Sequence, residues 1–236
     1  MCSTWNVFVI IIMAKKKNKF FRVIRNVFIA LFFSSVFFVV VYRFVPVCYT
    51  PLMFIRVAEQ ISDGKPVRLE RSWVSIDNIS PNMIRAVIAA EDNRFLKHNG
   101  FDFRGIKKAY EGNRRGKRIR GGSTITQQTA KNVFLVPNRS YVRKALEAYF
   151  TLLIEIFWSK ERIMEVYLNV IEVGNGIYGV EKASEVYFHK SPKYLTESQA
   201  ASIAACLPNP GKYKVVNSGP YMQRRKARIL RLMPKM

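Results

Sequence analysis

The chain has 236 residues, enough for one domain with an anchor and too few for two large catalytic domains. Hydrophobic residues make up 49%, which excludes wholesale disorder. Lys and Arg outnumber Asp and Glu by 39 to 16, and the net charge of +23 calls for an anionic partner: nucleic acid, a lipid surface or a phosphorylated substrate.

The first apolar stretch, residues 7–14, is too short to span a bilayer. It suits an interface, and Met13 is an alternative start. A basic cluster follows, Lys15, Lys16, Lys17 and Lys19. Residues 27–42 then carry no charge before Arg43 breaks the run. A span needs ~20 residues, and Arg43 can extend this one by snorkelling to the interface. No small-x-small cleavage site follows, so the run reads as a retained single-pass anchor. The positive-inside rule places the N-terminus in the cytoplasm and everything after Val45 outside. The expected division is a basic cytoplasmic segment over 1–26, a transmembrane anchor over 27–47 and an extracytoplasmic domain over 48–236. All 16 acidic residues lie in the outer part, which nonetheless stays basic. That topology argues against nucleic acid and for an anionic or phosphorylated lipid. Cys2, Cys48 and Cys206 are odd in number and far apart, so they imply neither a disulfide framework nor a zinc site.

Residues 50–71 contain Pro51, Gly64 and Pro66 and read as a juxtamembrane segment with one helical stretch or a strand. Ser80-Pro81 is a helix start, with Met83, Ile84, Val87 and Ile88 at helical spacing. Further helices are expected over 141–158, 159–173 and 180–187. Thr196 with Gln199 forms a capping box for another that ends before Pro208. Ala200, Ala201, Ala204 and Ala205 suit close helix packing, and 222–232 reads as a basic helix. No strand ladder is evident, so the domain is expected to be all-α. Residues 113–120 (NRRGKRIR) and the polar stretch 121–128 read as loops, and Pro208 to Gly211 as a turn.

Glu91 continues the Met83–Val87 stripe, so its carboxylate is expected to be partly desolvated and more basic than usual, as a general base requires. The alternative is a helix-end charge paired with Arg94. Glu147 lies in line with Arg143, Phe150 and Ile154, where Arg143 could fix it, or it forms an ordinary helix ion pair. His98 is the other titrating group near Glu91. Two histidines without ligand spacing do not support a catalytic metal site. The basic loop suits a solvated surface or a pyrophosphate.

These pieces resemble glycosyltransferase family 51, and specifically its monofunctional peptidoglycan transglycosylases. The likeness covers residues 76–210 in five ordered blocks. The first runs from Glu91-Asp92-Asn93-Arg94-Phe95 through His98 to Asp102, and the second from Gly122-Ser123-Thr124 to Gln127-Gln128 with Lys131-Asn132. Next come Arg143-Lys144-Ala145-Leu146-Glu147 and Lys160 through Glu165 to Tyr167-Leu168-Asn169. The last is Gly176-Ile177-Tyr178-Gly179-Val180 with Tyr187-Phe188.

The resemblance implies a lysozyme-like helical domain behind one transmembrane helix, with a periplasmic catalytic domain at the inner (plasma) membrane. It implies polymerisation of lipid II onto a polyprenyl-pyrophosphate-linked glycan, with inversion to a β-1,4 bond. Glu91 would be the base on the acceptor 4-hydroxyl and Glu147 a second carboxylate in the donor site. Lys131 and Arg139 would stabilise the pyrophosphate, with Arg143 and Lys144 nearby, while Ser123, Gln127 and Gln128 line the cleft. The resemblance leaves room for Mg2+ or Mn2+, although no ligand set is evident, and for cell-wall synthesis or division proteins as partners. Ser62-Asp63-Gly64-Lys65 and Ser80-Pro81-Asn82 match two transpeptidase patterns. No K-T-G follows, so both read as chance and no transpeptidase activity is expected. The rival readings are a glycan hydrolase on the same fold, a non-catalytic scaffold, and a nucleic-acid binder using 113–120.

Overall fold

The computed structural model describes residues 3–105, 107, 111, 122–138 and 140–236, with side chains from Lys19 onward. The basic loop 113–120 and Arg139 lie outside the described residues. The chain divides into two units, Met1–Phe44 and Val45–Met236.

The first unit is one helix, α1 (Ser3–Phe44), which takes in both the 7–14 stretch and the apolar run. Its segment Lys19–Phe44 is long and apolar enough to cross a membrane, with a mean hydropathy of 2.2. The helix ends at Phe44, because Pro46 disfavours helical backbone at Val45.

The second unit is mainly helical. Its helices are α2 (Pro51–Ser62), α3 (Pro81–Glu91), α4 (Ile125–Phe134), α5 (Tyr141–Phe157), α6 (Lys160–Val170), α7 (Gly179–Phe188), α8 (Glu197–Cys206) and α9 (Pro220–Leu232). The polar stretch 121–128 is not a loop throughout. Thr124 caps α4, accepting from the Gln127 N–H while the Gln127 side chain accepts from the Thr124 N–H. This is the capping-box logic also found at Thr196 and Gln199. Ser80 caps α3 and donates its hydroxyl to the Leu195 carbonyl at 3.0 Å, tying the helix to the segment before α8. Ser62 ends α2, and Lys65 beside it pairs with Asp63.

A small sheet corrects the expectation of no strand ladder. Strands β1 (Glu70–Arg71), β2 (Glu172–Gly174) and β3 (Ile177–Tyr178) lie in the order β1-β3-β2. β3 pairs parallel with β1 and antiparallel with β2. Strands of two or three residues are too short to display a period of two in sequence. β2 also explains why α6 stops at Val170, short of residue 173. Gly179, at φ +78°, carries the chain from β3 into α7. A Cβ there would lie 2.7 Å from the Asn169 carbonyl oxygen, so both backbone and space favour glycine.

The core gathers Met83, Val87, Phe95, Ile125, Ile154, Ile163, Tyr167, Leu168, Ile177 and Ile203. Burying each such side chain contributes about 1.5–3 kcal/mol before chain entropy opposes it. α3 packs on α8 and α9, and α4 packs between α5 and α6. Ala200, Ala201, Ala204 and Ala205 are all buried, as close approach of α8 to its neighbours requires. The Asn169 amide bonds both the N–H and the carbonyl of Val74 at 2.8 Å, fastening the segment before α3 to α6.

Candidate active site

Glu91 is the last residue of α3, where it follows the buried Met83 and Val87. Its side chain is 13% exposed. Burial pushes its carboxyl above the ordinary range, against the Gln128 hydrogen bond and the Arg225 and Lys131 charges that favour ionisation; neighbouring Asp92 adds to the rise. The negative end of the α3 dipole acts in the same direction. Gln128 Nε2 donates to Oε2 at 3.0 Å, and an Arg225 terminal nitrogen lies 3.2 Å from Oε1. Arg94 does not pair with Glu91. It bonds Asp102 at 2.7 Å instead.

Asp92 starts a separate brace. Its carboxylate faces His98 Nε2 at 2.9 and 3.0 Å and accepts the Ile125 N–H at 3.2 Å. Ile125 is the first residue of α4, so an anion here also meets the positive end of a helix. His98 therefore acts on Asp92, and Asp92 sets α4 against the end of α3.

α4 presents Gln127, Gln128 and Lys131. Gln127 is buried, and its carbonyl oxygen is committed to the helix cap. Gln128 lies one residue further round and reaches Glu91. Lys131 follows one turn after Gln127, and burial lowers its pKa. Glu147 and Glu91 oppose that shift, while Arg143 and Lys144 reinforce it. Lys131 is thus within electrostatic reach of both carboxylates.

Glu147 is 3% exposed on α5. Arg143, one turn earlier, donates to Oε2 at 2.7 Å, and Lys144 donates to Oε1. Arg143 also holds the Asn138 carbonyl at 2.6 Å. Lys144 reaches the Ser123 hydroxyl at 3.5 Å, linking the entry of α4 to α5. The structure therefore brings Glu91, Gln128 and Lys131 into one electrostatic group, joined through Lys131 to Glu147, Arg143, Lys144 and Ser123.

Sequence reasoning missed two contributors. Arg225 was legible only as one charge of a basic helix. Tyr167, on α6, donates its hydroxyl to Gln128 Oε1 at 3.2 Å. No local pattern relates either residue to Glu91, because both contacts depend on packing between distant helices.

Among the described residues no group of three or more His, Cys, Asp and Glu side chains could hold a metal ion. The carboxylates of Glu91 and Glu147 are already occupied by Gln128, Arg225, Arg143 and Lys144. Among the described residues these side chains form no divalent-cation site.

The transglycosylase family model matches residues 58–234. A biosynthetic peptidoglycan transglycosylase of Bacteroides thetaiotaomicron is 53% identical over 92% of this chain and 87% of its own length. One from Caulobacter vibrioides is 53% identical over 88% and 90%, and one from Bdellovibrio bacteriovorus is 55% identical over 84% and 80%. With a family model matching most of the chain and identity at this level over nearly its whole length, the protein belongs to the transglycosylase family and is a glycosyltransferase enzyme.

Proposed function

We propose that this enzyme is a peptidoglycan glycosyltransferase that polymerises lipid II into β-1,4-linked glycan strands. The acceptor is lipid II, and the donor is a glycan on polyprenyl pyrophosphate. Glu91 takes the proton from the acceptor sugar 4-hydroxyl as that oxygen attacks the donor anomeric carbon. The bond from that carbon to the pyrophosphate oxygen breaks on the opposite face, so the configuration inverts. Polyprenyl pyrophosphate leaves with the electron pair.

The observation that carries this reading is a desolvated carboxylate, Glu91, within electrostatic reach of a half-buried cation, Lys131. A raised pKa gives the carboxylate the basicity the first half of the step needs. A fixed cation in a desolvated site stabilises charge that grows on the leaving pyrophosphate. Arg143 and Lys144 add positive charge near Lys131, Arg139 is assigned to the same pyrophosphate by family resemblance alone, and Ser123, Gln127 and Gln128 line the cleft. Glu147 lies in the donor site. Both of its oxygens accept from cations, so it holds Arg143 and Lys144 in place.

The substrate's lipid tail accounts for an anchored enzyme. Lys15 to Lys19 support a cytoplasmic N-terminus and a catalytic body on the outer face. The assay is conversion of lipid II to polymer by wild type and Glu91→Gln side by side. Polymer from wild type and none from the variant is the expected result. Shortening of preformed glycan without polymerisation overturns the reading in favour of a hydrolase.

A further inference from the structure

Glu91 is held from two sides by residues far from it in sequence. On one side stands Arg225 of α9, 134 positions later, bonded to Oε1. On the other a relay runs from the Tyr167 hydroxyl to Gln128 Oε1, and from Gln128 Nε2 to Glu91 Oε2. Tyr167 is fully buried, and burial raises its pKa well above the ordinary phenol value, so its hydroxyl keeps its proton and donates. A donor facing one end of the Gln128 amide sorts that amide. The oxygen turns to Tyr167 and the nitrogen to Glu91. The reverse orientation would set an amide oxygen against a carboxylate oxygen, two acceptors without a proton between them.

We propose that Tyr167 and Arg225 are positioning residues for Glu91. Tyr167 acts through Gln128 by fixing which end of the amide meets the carboxylate, and Arg225 acts directly as the opposing arm of the clamp. The proposal rests on Glu91 being the base and adds what aims it. A carboxylate held at both oxygens presents one fixed lone-pair direction to an incoming hydroxyl. Freed on either side, it rotates about its last bond and loses that alignment.

Both arms also favour the ionised carboxylate. Removing either leaves burial less opposed. The other groups facing Glu91 are Lys131 from α4, which favours ionisation, and adjacent Asp92, which opposes it. From α8 the titratable neighbour of Arg225 is Cys206, whose thiol burial pushes up to about 12, so it is uncharged through the working range.

The test uses the full chain in detergent micelles with lipid II, comparing wild type, Tyr167→Phe, Arg225→Met, Arg225→Lys and Glu91→Gln across pH. Tyr167→Phe and Arg225→Met are expected to lose about ten- to a hundredfold in rate at the acid end. The deficit shrinks toward alkaline pH, because the acid limb moves upward in both. Arg225→Lys restores part of the wild-type limb. The Glu91 carboxyl signal, isolated by infrared difference against Glu91→Gln, moves in the same direction and gives a readout independent of turnover. Losses equal at every pH, or limbs superimposed on wild type, overturn the proposal while an inactive Glu91→Gln leaves the base assignment standing. A fully active Glu91→Gln overturns both.

Discussion

Asp92 Oδ2 accepts the backbone N–H of Ile125 at 3.2 Å, joining the residue beside the proposed base to the first residue of the helix that carries Gln128 and Lys131. The two halves of the proposed chemistry, proton removal and leaving-group stabilisation, sit on different helices separated by a long connection. This contact, backed by His98, joins the Gln128–Glu91 bond in setting them in register. Asp92→Ala leaves the α4 N-terminus without its anion and His98 without its partner. Loss of a buried charge-assisted bond should cost about 1–3 kcal/mol, read by thermal unfolding. Polymerisation should fall further than the stability loss explains, because Lys131 and Glu91 drift relative to each other.

The raised pKa of Glu91 has a sign that stability measurements can read. In the unfolded chain the carboxyl titrates near its ordinary value of about 4.3. In the folded protein burial keeps it neutral to higher pH. The folded state therefore binds more protons in the window between those values. Stability from this group is fully present below the unfolded pKa and is lost as pH rises through the folded one. Glu91→Gln, which keeps an acceptor for Arg225 and cannot ionise, should gain stability on wild type as pH rises through that window and show no such gain below it. Chemical denaturation at a series of pH values checks this.

Lys131 should define the opposite limb of the rate profile. Burial lowers its pKa, so its charge is lost at lower pH than an ordinary lysine's. Lys131→Arg should extend activity to more alkaline pH, because the guanidinium does not deprotonate. Lys131→Met should reduce the rate by about 10²–10³-fold while Glu91 still titrates.

The cap of α4 is a further lever on the site. Thr124→Ala removes one arm of the capping box and should destabilise the protein by about 1 kcal/mol, with Thr124→Ser recovering most of it. Because Gln128 and Lys131 ride on that helix, the alanine variant should also turn over more slowly at saturating lipid II.

Much of this was legible in the residues. Ser80-Pro81, the Thr196–Gln199 box and the small-residue face of α8 announce themselves because caps and close packing are local patterns. Glu91 on a buried stripe and Arg143 beside Glu147 follow from helical spacing alone. The same spacing rule also offered Arg94 as a partner for Glu91, and there it misleads. The helix ends at Glu91, so three residues later is no longer one turn away. The cap at Thr124 carried the same T-x-x-Q signature as Thr196 but was hidden by the glycines and polar residues before it. The short strands and Arg225 were not legible, and Tyr167 was legible as part of the fourth block but not as a partner of Gln128, since each takes its meaning from a partner far along the chain.

The distance in sequence between Glu91 and its partners has a consequence for the timing of synthesis. Gln128 emerges from the ribosome 37 residues after the carboxylate, Tyr167 later still, and Arg225 134 residues after it. Contacts of such long range form late. A nascent chain already carrying α1 therefore holds the proposed base unfinished until α9 has been made. A product truncated before α9 would keep its apolar helix yet be poorly active.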